Sequence, residues 1–107
     1  MPNKTKNIGV LTSGGDSPGM NAAVRSVVRT CAFHDVGCFG IYQGYQGLID
    51  NKMESMNARS VKDIINKGGT ILKSARCLEF RTQEGRKIAH KNLQKNKIDA
   101  LVVIGGD

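Results

Sequence analysis

Tryptophan is absent from this sequence, and aromatic residues of every kind make up only 5% of it. A stacking platform for single-stranded nucleic acid needs more rings than that. No apolar run approaches the roughly 18 residues that a membrane-spanning helix requires, so no membrane partner is expected. The opening residues, Met1-Pro2-Asn3-Lys4-Thr5-Lys6-Asn7, lack the apolar stretch of a secretory signal, which predicts a cytoplasmic protein. Cysteine is scarce and spaced badly for joint work. Cys31, Cys38 and Cys77 make no C-x-x-C pair, so neither a zinc site nor a disulfide framework is indicated, and each is expected to be a small reduced residue. His34 and His90 stand alone, outside any metal-ligand or triad spacing, and are expected to be surface or satisfied structural residues. Acidic residues are outnumbered, 9 Asp and Glu against 16 Lys and Arg, for a net charge of +7. The basic residues are scattered, with one looser group from Lys87 to Lys97, so phosphate-bearing small ligands explain the charge better than nucleic acid does.

What is present is a 107-residue chain, enough for one modest core. Ile8-Gly9-Val10-Leu11 reads as a buried strand running into the glycine turn Thr12-Ser13-Gly14-Gly15. After Pro18-Gly19-Met20-Asn21, the residues Ala23, Val24, Val27, Val28 and Cys31 recur with helical period, while Arg25 and Arg29 share another face of the same helix. Cys38 to Tyr42 predicts a second strand, broken by Gly44-Tyr45-Gln46-Gly47, and Asn51 to Met56 is compatible with a short edge strand. Ser60 to Ile65 predicts a short helix with Ser60 as its N-cap, ended by Gly68-Gly69; the following stretch to Arg76 reads as loop. Thr82 is placed to cap a longer helix, about Gln83 to Asn96, with Ile88, Ala89 and Leu93 inward and Arg86, Lys87, Lys91 and Lys95 outward. Asp99 to Ile104 is a continuous, β-branched-rich apolar run, the pattern of a strand covered on both faces. Alternation of strands and helices implies an α/β fold: a parallel, Rossmann-like, doubly wound sheet with helices on both faces.

Chemistry concentrates at the glycine turns. Gly14-Gly15-Asp16-Ser17-Pro18-Gly19 sits between a strand and a helix, where glycines let the backbone approach a phosphate and the helix N-terminus offers N–H groups. It is neither a Walker A loop nor G-x-G-x-x-G, and taken alone it is also compatible with a simple tight turn. Gly105-Gly106-Asp107 follows the last strand in the same way. In a parallel sheet both turns lie at the C-terminal strand edge, where each brings a carboxylate that can hold Mg²⁺ beside a polyphosphate. Arg76, in a loop beside Ser74, is either a surface residue or a group aimed at a transferring phosphoryl. Arg25 and Arg29 are either a solvated face or a phosphate clamp.

At these residues the sequence resembles a known family. The stretches 8–23, 40–48, 68–76 and 100–107 are similar, in this order, to the conserved stretches of ATP-dependent 6-phosphofructokinases of the bacterial type. The resemblance implies transfer of the γ-phosphate of ATP to fructose 6-phosphate with Mg²⁺, in glycolysis. It implies that Gly15 and Gly106 lie against ATP, that Arg76 stabilises the transition state, that Cys77 lines the nucleotide site and that Asp107 holds the metal. It also implies a homotetramer with a nucleotide effector such as ADP. The effector would lie at Arg25, Ser26, Val27, Val28 and Arg29 and at a second stretch, Ala58, Arg59, Ser60, Val61, Lys62 and Asp63. Two departures stand out. Family members often carry arginine where this chain has Ala58, with Arg59 beside it, and the best-known ATP-dependent members have glycine in place of Lys73. The family's aspartate base, in a Thr-Ile-Asp-Asn-Asp type motif, lies beyond Asp107, as does the residue that distinguishes ATP from pyrophosphate donors. The chain is therefore expected to be the N-terminal part of the nucleotide-binding domain and inactive by itself. Rival readings are a pyrophosphate-dependent member of the family, a non-catalytic nucleotide-binding module, and a basic nucleic-acid-binding module, which predicts steep salt dependence and no response to ATP.

Overall fold

A computed structural model describes residues 7–13, 19–62, 71–73 and 82–105. Strand β1 (Asn7–Ser13) leads to helix α1 (Met20–Phe33), β2 (Gly37–Ile41), a short α2 (Gly44–Asp50) and β3 (Met53–Met56). A 3-10 turn, Ala58–Val61, follows, then α3 (Gln83–Lys95) and β4 (Ala100–Gly105). The strands form one sheet in the order β3-β2-β1-β4. β1 pairs in parallel with both β2 and β4, and β3 closes one edge antiparallel to β2.

The expected sandwich of helices on both faces is present, and the alternation of side chains along β1 creates it. Val10 points under α1, into a cluster with Val24, Val28, Cys31, Cys38, Met56, Val61 and Leu72. Its neighbour Leu11 points the other way, toward Ile41, Leu48 of α2 and Ala89 of α3. Val10 and Leu11 are both fully buried. Burying such a side chain is worth about 1.5–3 kcal/mol, against about 0.5–1.5 kcal/mol net for one hydrogen bond, so the two helical layers hold the sheet more than its ladder does. The ladder instead decides register. At its start, the Asp99 N–H donates to the Asn7 carbonyl (2.9 Å), and the Asn7 N–H donates to Asp99 Oδ2 (3.1 Å).

The structure refines four expectations. The Gly44–Gly47 stretch does break the second strand, and it does so by starting α2. Gly47 is required there, since a Cβ would strike the Tyr42 carbonyl oxygen. This short helix is made by packing rather than propensity. Leu48 is buried, and the Asn92 side chain on α3 donates to the carbonyls of Leu48 (2.7 Å) and Ile49 (3.0 Å), two groups left open at the helix end. Second, the cap of the turn near Ser60 is Asn57. Its Oδ1 accepts from the Ser60 N–H, and Ser60 Oγ accepts from the Asn57 N–H, both at 3.1 Å. The rest of that expected helix, and most of the loop before Arg76, fall outside the described residues.

Third, β4 is covered only in part, with Val102 and Ile104 packed toward the α1 layer and Leu101 toward the α2 and α3 layer. It is an edge strand of the described sheet, and Val103 is 42% exposed because α2 and α3 reach only as far as Leu101 on that side. Fourth, Ile88 is exposed; the inward stripe of α3 is Gly85, Ala89, Asn92 and Leu93. The Thr82 cap does form, its Oγ1 accepting from the Gly85 N–H at 2.9 Å. Replacing Asn92 by Leu leaves two helix-end carbonyls without that donor, and we expect it to lower the unfolding free energy by about 1–3 kcal/mol, read by urea denaturation.

Candidate functional site

The two glycine turns start from paired residues. In the parallel register of β1 and β4, Thr12 lies opposite Ile104 and Ser13 opposite Gly105, so the chain leaves both strands at adjacent points on one sheet edge. Gly105 has φ +119°, and a Cβ on it would collide with the Ser13 carbonyl oxygen. Only glycine lets the two backbones come this close at the base of the turns.

The loop that precedes Arg76 is tied to the same edge. Buried Thr12 donates its hydroxyl hydrogen to the Lys73 carbonyl at 3.0 Å. The Gln43 N–H, just past β2, donates to the Leu72 carbonyl at 2.8 Å. Buried Asn21, in the first turn of α1, accepts from the Ile71 N–H through Oδ1 at 2.7 Å. Residues 71–73 thus lie across the ends of β1 and β2 and the start of α1. Lys73 itself is exposed and holds φ +63°, a left-handed conformation that a glycine adopts without strain. The first turn of α1 has no side-chain cap and no acidic residue, so the positive end of its dipole is not neutralised from within the helix.

Of the residues assigned to ATP and metal, Gly15, Arg76, Cys77, Gly106 and Asp107 all lie outside the described residues. The last described residues before them, Ser13, Lys73 and Gly105, are the ones gathered at this edge. Among the described residues there is no cluster of three or more His, Cys, Asp or Glu side chains able to hold a metal. One carboxylate working with polyphosphate oxygens is nevertheless a donor set that Mg²⁺ commonly takes. Sequence reasoning overlooked Thr12 and Asn21, which carry the loop. Their signal was weak: a polar residue inside an otherwise apolar strand, and an amide at the start of a helix.

A second feature lies along α1. Ala22, Arg25, Ser26, Arg29, Thr30, Phe33 and His34 line an open groove of about 540 Å³. Arg25 Nε is buried and has no hydrogen-bond partner. Of the residues assigned to an effector, Arg25, Ser26 and Arg29 line this groove, whereas Val28 is buried in the core and Val27 packs against it. The 3-10 turn packs beside α1 through Val61, with Ala58, Arg59, Ser60 and Lys62 exposed. None of these turn residues is among those lining the groove, and Asp63 lies outside the described residues.

Cys31 and Cys38 are buried and unpaired in disulfides. Burial, and then the neighbouring Cys31, push the Cys38 thiol up to about 12 from 9.0. A thiol held protonated in this way is neither a nucleophile nor a metal ligand near neutral pH. No helix among the described residues is long and apolar enough to cross a membrane.

Residues 7–107 match the family described as Phosphofructokinase. The chain belongs to the phosphofructokinase family. It is 64% identical over 102 residues to an ATP-dependent 6-phosphofructokinase of Teredinibacter turnerae and 63% identical to that of Bacillus subtilis, in each case across 95% of this chain. The chain spans 32% of the length of these curated relatives. Its backbone is similar to phosphofructokinase from Saccharomyces cerevisiae, with a TM-score of 0.91 and 50% identity over 94% of this chain and 14% of that one. The T-state enzyme of Pichia pastoris also gives 0.91, at 44% identity over 99% of this chain and 12% of that one. The doubly wound α/β fold is therefore that of a phosphofructokinase segment.

Two outcomes are expected. Gly105→Ala forces a side chain into a glycine-only conformation against Ser13 and should lower stability by about 1–3 kcal/mol in urea unfolding. Because Cys38 holds its proton more tightly folded than unfolded, its contribution is complete below pH 9.0 and is lost as pH rises toward about 12. Stability measured across that window should fall less steeply in Cys38→Val than in the parent chain.

Proposed function

We propose that this chain forms the nucleotide-binding part of an ATP-dependent 6-phosphofructokinase, transferring the γ-phosphoryl group of ATP to fructose 6-phosphate and releasing ADP and fructose 1,6-bisphosphate. The observation that carries the proposal is the paired exit of β1 and β4 at Ser13 and Gly105, with residues 71–73 tied alongside. Phosphoryl transfer depends on positioning and on charge stabilisation more than on covalent chemistry by the protein. Gly15 and Gly106 then offer backbone N–H groups to the phosphates, and Arg76 balances the negative charge that grows on the transferring group. Cys77 flanks the nucleotide. Asp107 holds Mg²⁺, which when bound neutralises phosphate charge. The sugar phosphate and the aspartate base belong to the part of the family's length that this chain does not span, so the chain alone is expected to give no turnover.

The relatives are named ATP-dependent, which supports ATP over pyrophosphate as donor. The wider reading is a cytoplasmic glycolytic homotetramer regulated by a nucleotide such as ADP. Arg25 and Arg29 contact its phosphates, and the 3-10 turn with Arg59 and Lys62 stands nearby. The decisive test is a coupled ADP-release assay on the protein carrying this chain together with the family's remaining length. It should phosphorylate fructose 6-phosphate with ATP, lose activity on metal chelation, and fail with pyrophosphate. Arg76→Ala should lower kcat by about 10²–10³. Turnover that survives Arg76→Ala undiminished would refute the assignment.

A further inference from the structure

Five residues other than glycine hold left-handed backbone among the described residues: Asp35, Gln43, Asn51, Lys73 and Lys97. Three of them have a local reason. Asp35, Asn51 and Lys97 stand just past the ends of α1, α2 and α3, where a left-handed residue commonly stops a helix. Gln43 and Lys73, both at φ +63°, end no helix among the described residues. They lie on two segments joined by the bond from the Gln43 N–H to the Leu72 carbonyl. Strain of this kind persists only where the surroundings enforce it, and it collects at sites that hold ligands. Glycine would avoid it altogether, so a side chain kept there needs a use. Gln43 has one, its Oε1 accepting from the Lys52 ammonium at 3.4 Å.

The use of Lys73 lies elsewhere. Its main chain is fixed, because its carbonyl accepts from Thr12, one residue before the Ser13–Gly105 pair from which both glycine stretches leave. Leu72 is fully buried and anchors the segment, while Lys73 next to it is exposed. Thr12, Ser13, Asn21, Gln43, Leu72 and Gly105, the described residues gathered here, include no carboxylate to pair with the ammonium. A rigid backbone thus presents a strongly hydrated point charge on a flexible four-carbon stem, the form in which lysine meets phosphate.

We propose that the Lys73 ammonium contacts the phosphates of the nucleotide bound at this edge and strengthens its binding. The inference rests on the nucleotide reading above and adds to it a phosphate contact from a described residue. A point charge reads the phosphates and is blind to the base, so the contact serves any nucleoside triphosphate equally.

The test uses the protein carrying this chain together with the family's remaining length, and compares the parent with Lys73→Gly, Lys73→Asn and Lys73→Arg. Glycine and asparagine both tolerate left-handed backbone, so they remove the ammonium without straining the loop. We expect the KM for ATP to rise about 2- to 10-fold in Lys73→Gly and Lys73→Asn, with kcat changing less than KM, and Lys73→Arg to stay near the parent. GTP should show the same rise, and the KM for fructose 6-phosphate should not move. Salt screens an exposed charge, so higher ionic strength should raise the parent's KM for ATP and narrow the gap to Lys73→Asn. An unchanged KM for ATP in both Lys73→Gly and Lys73→Asn overturns the contact. A rise that Lys73→Arg shares, or that salt leaves untouched, overturns it as well and gives Lys73 a part in loop shape alone. If the parent turns over no ATP, the nucleotide reading itself falls and takes the Lys73 contact with it.

Discussion

Everything at the candidate nucleotide site depends on the register between β1 and β4. The strands are far apart in sequence and share no turn, so nothing local aligns them. The alignment is made at one end by the exchange of hydrogen bonds between Asn7 and Asp99 and at the other by the close approach of Gly105 to the Ser13 carbonyl. A slip of one residue would exchange Val10 and Leu11 between the two helical layers, each of which is packed for the other side chain. The same slip would move Gly105 away from Ser13. Core burial and loop placement are thus enforced by a single pairing.

The third loop is held by different means. Residues 71–73 have no ladder of their own and are fixed by three hydrogen bonds to the ends of other elements: to the Thr12 hydroxyl, the Gln43 N–H and the Asn21 amide. Thr12 and Asn21 are fully buried. A buried polar group that loses a hydrogen bond costs about 1–3 kcal/mol, so both residues favour the loop in this position. Leu72, fully buried in the apolar layer under α1, holds the same loop by packing.

Much of this was legible in the sequence. The apolar period of α1, the Thr82 cap and the strand character of 100–104 follow from local patterns, and those patterns coincide with the tertiary contacts. The failures share a cause. α2 carries Gly47 because it lies hard against Tyr42 there, and its end is closed by an asparagine on α3; neither fact is local. The apolar run of β4 promises cover on both faces, yet cover is a property of neighbours, and Val103 has few in the described structure. Ser60 was a sound capping residue by type, but Asn57, three positions earlier, takes the role and uses Ser60 as its reciprocal partner. At the site itself, the strands that lead to the two glycine stretches were readable from their apolar runs. The residues that tie the intervening loop were not, because a lone threonine or asparagine carries no pattern.

The contact between Gly105 and Ser13 has one more consequence. Where two segments meet backbone to backbone, the distance between them has no adjustable part: there is no rotamer to change and no methylene to add or remove. The span between the bases of the two glycine turns is therefore a constant of the main chain. Selection or engineering can alter residues further out, and the spacing of the two strand ends stays the same throughout.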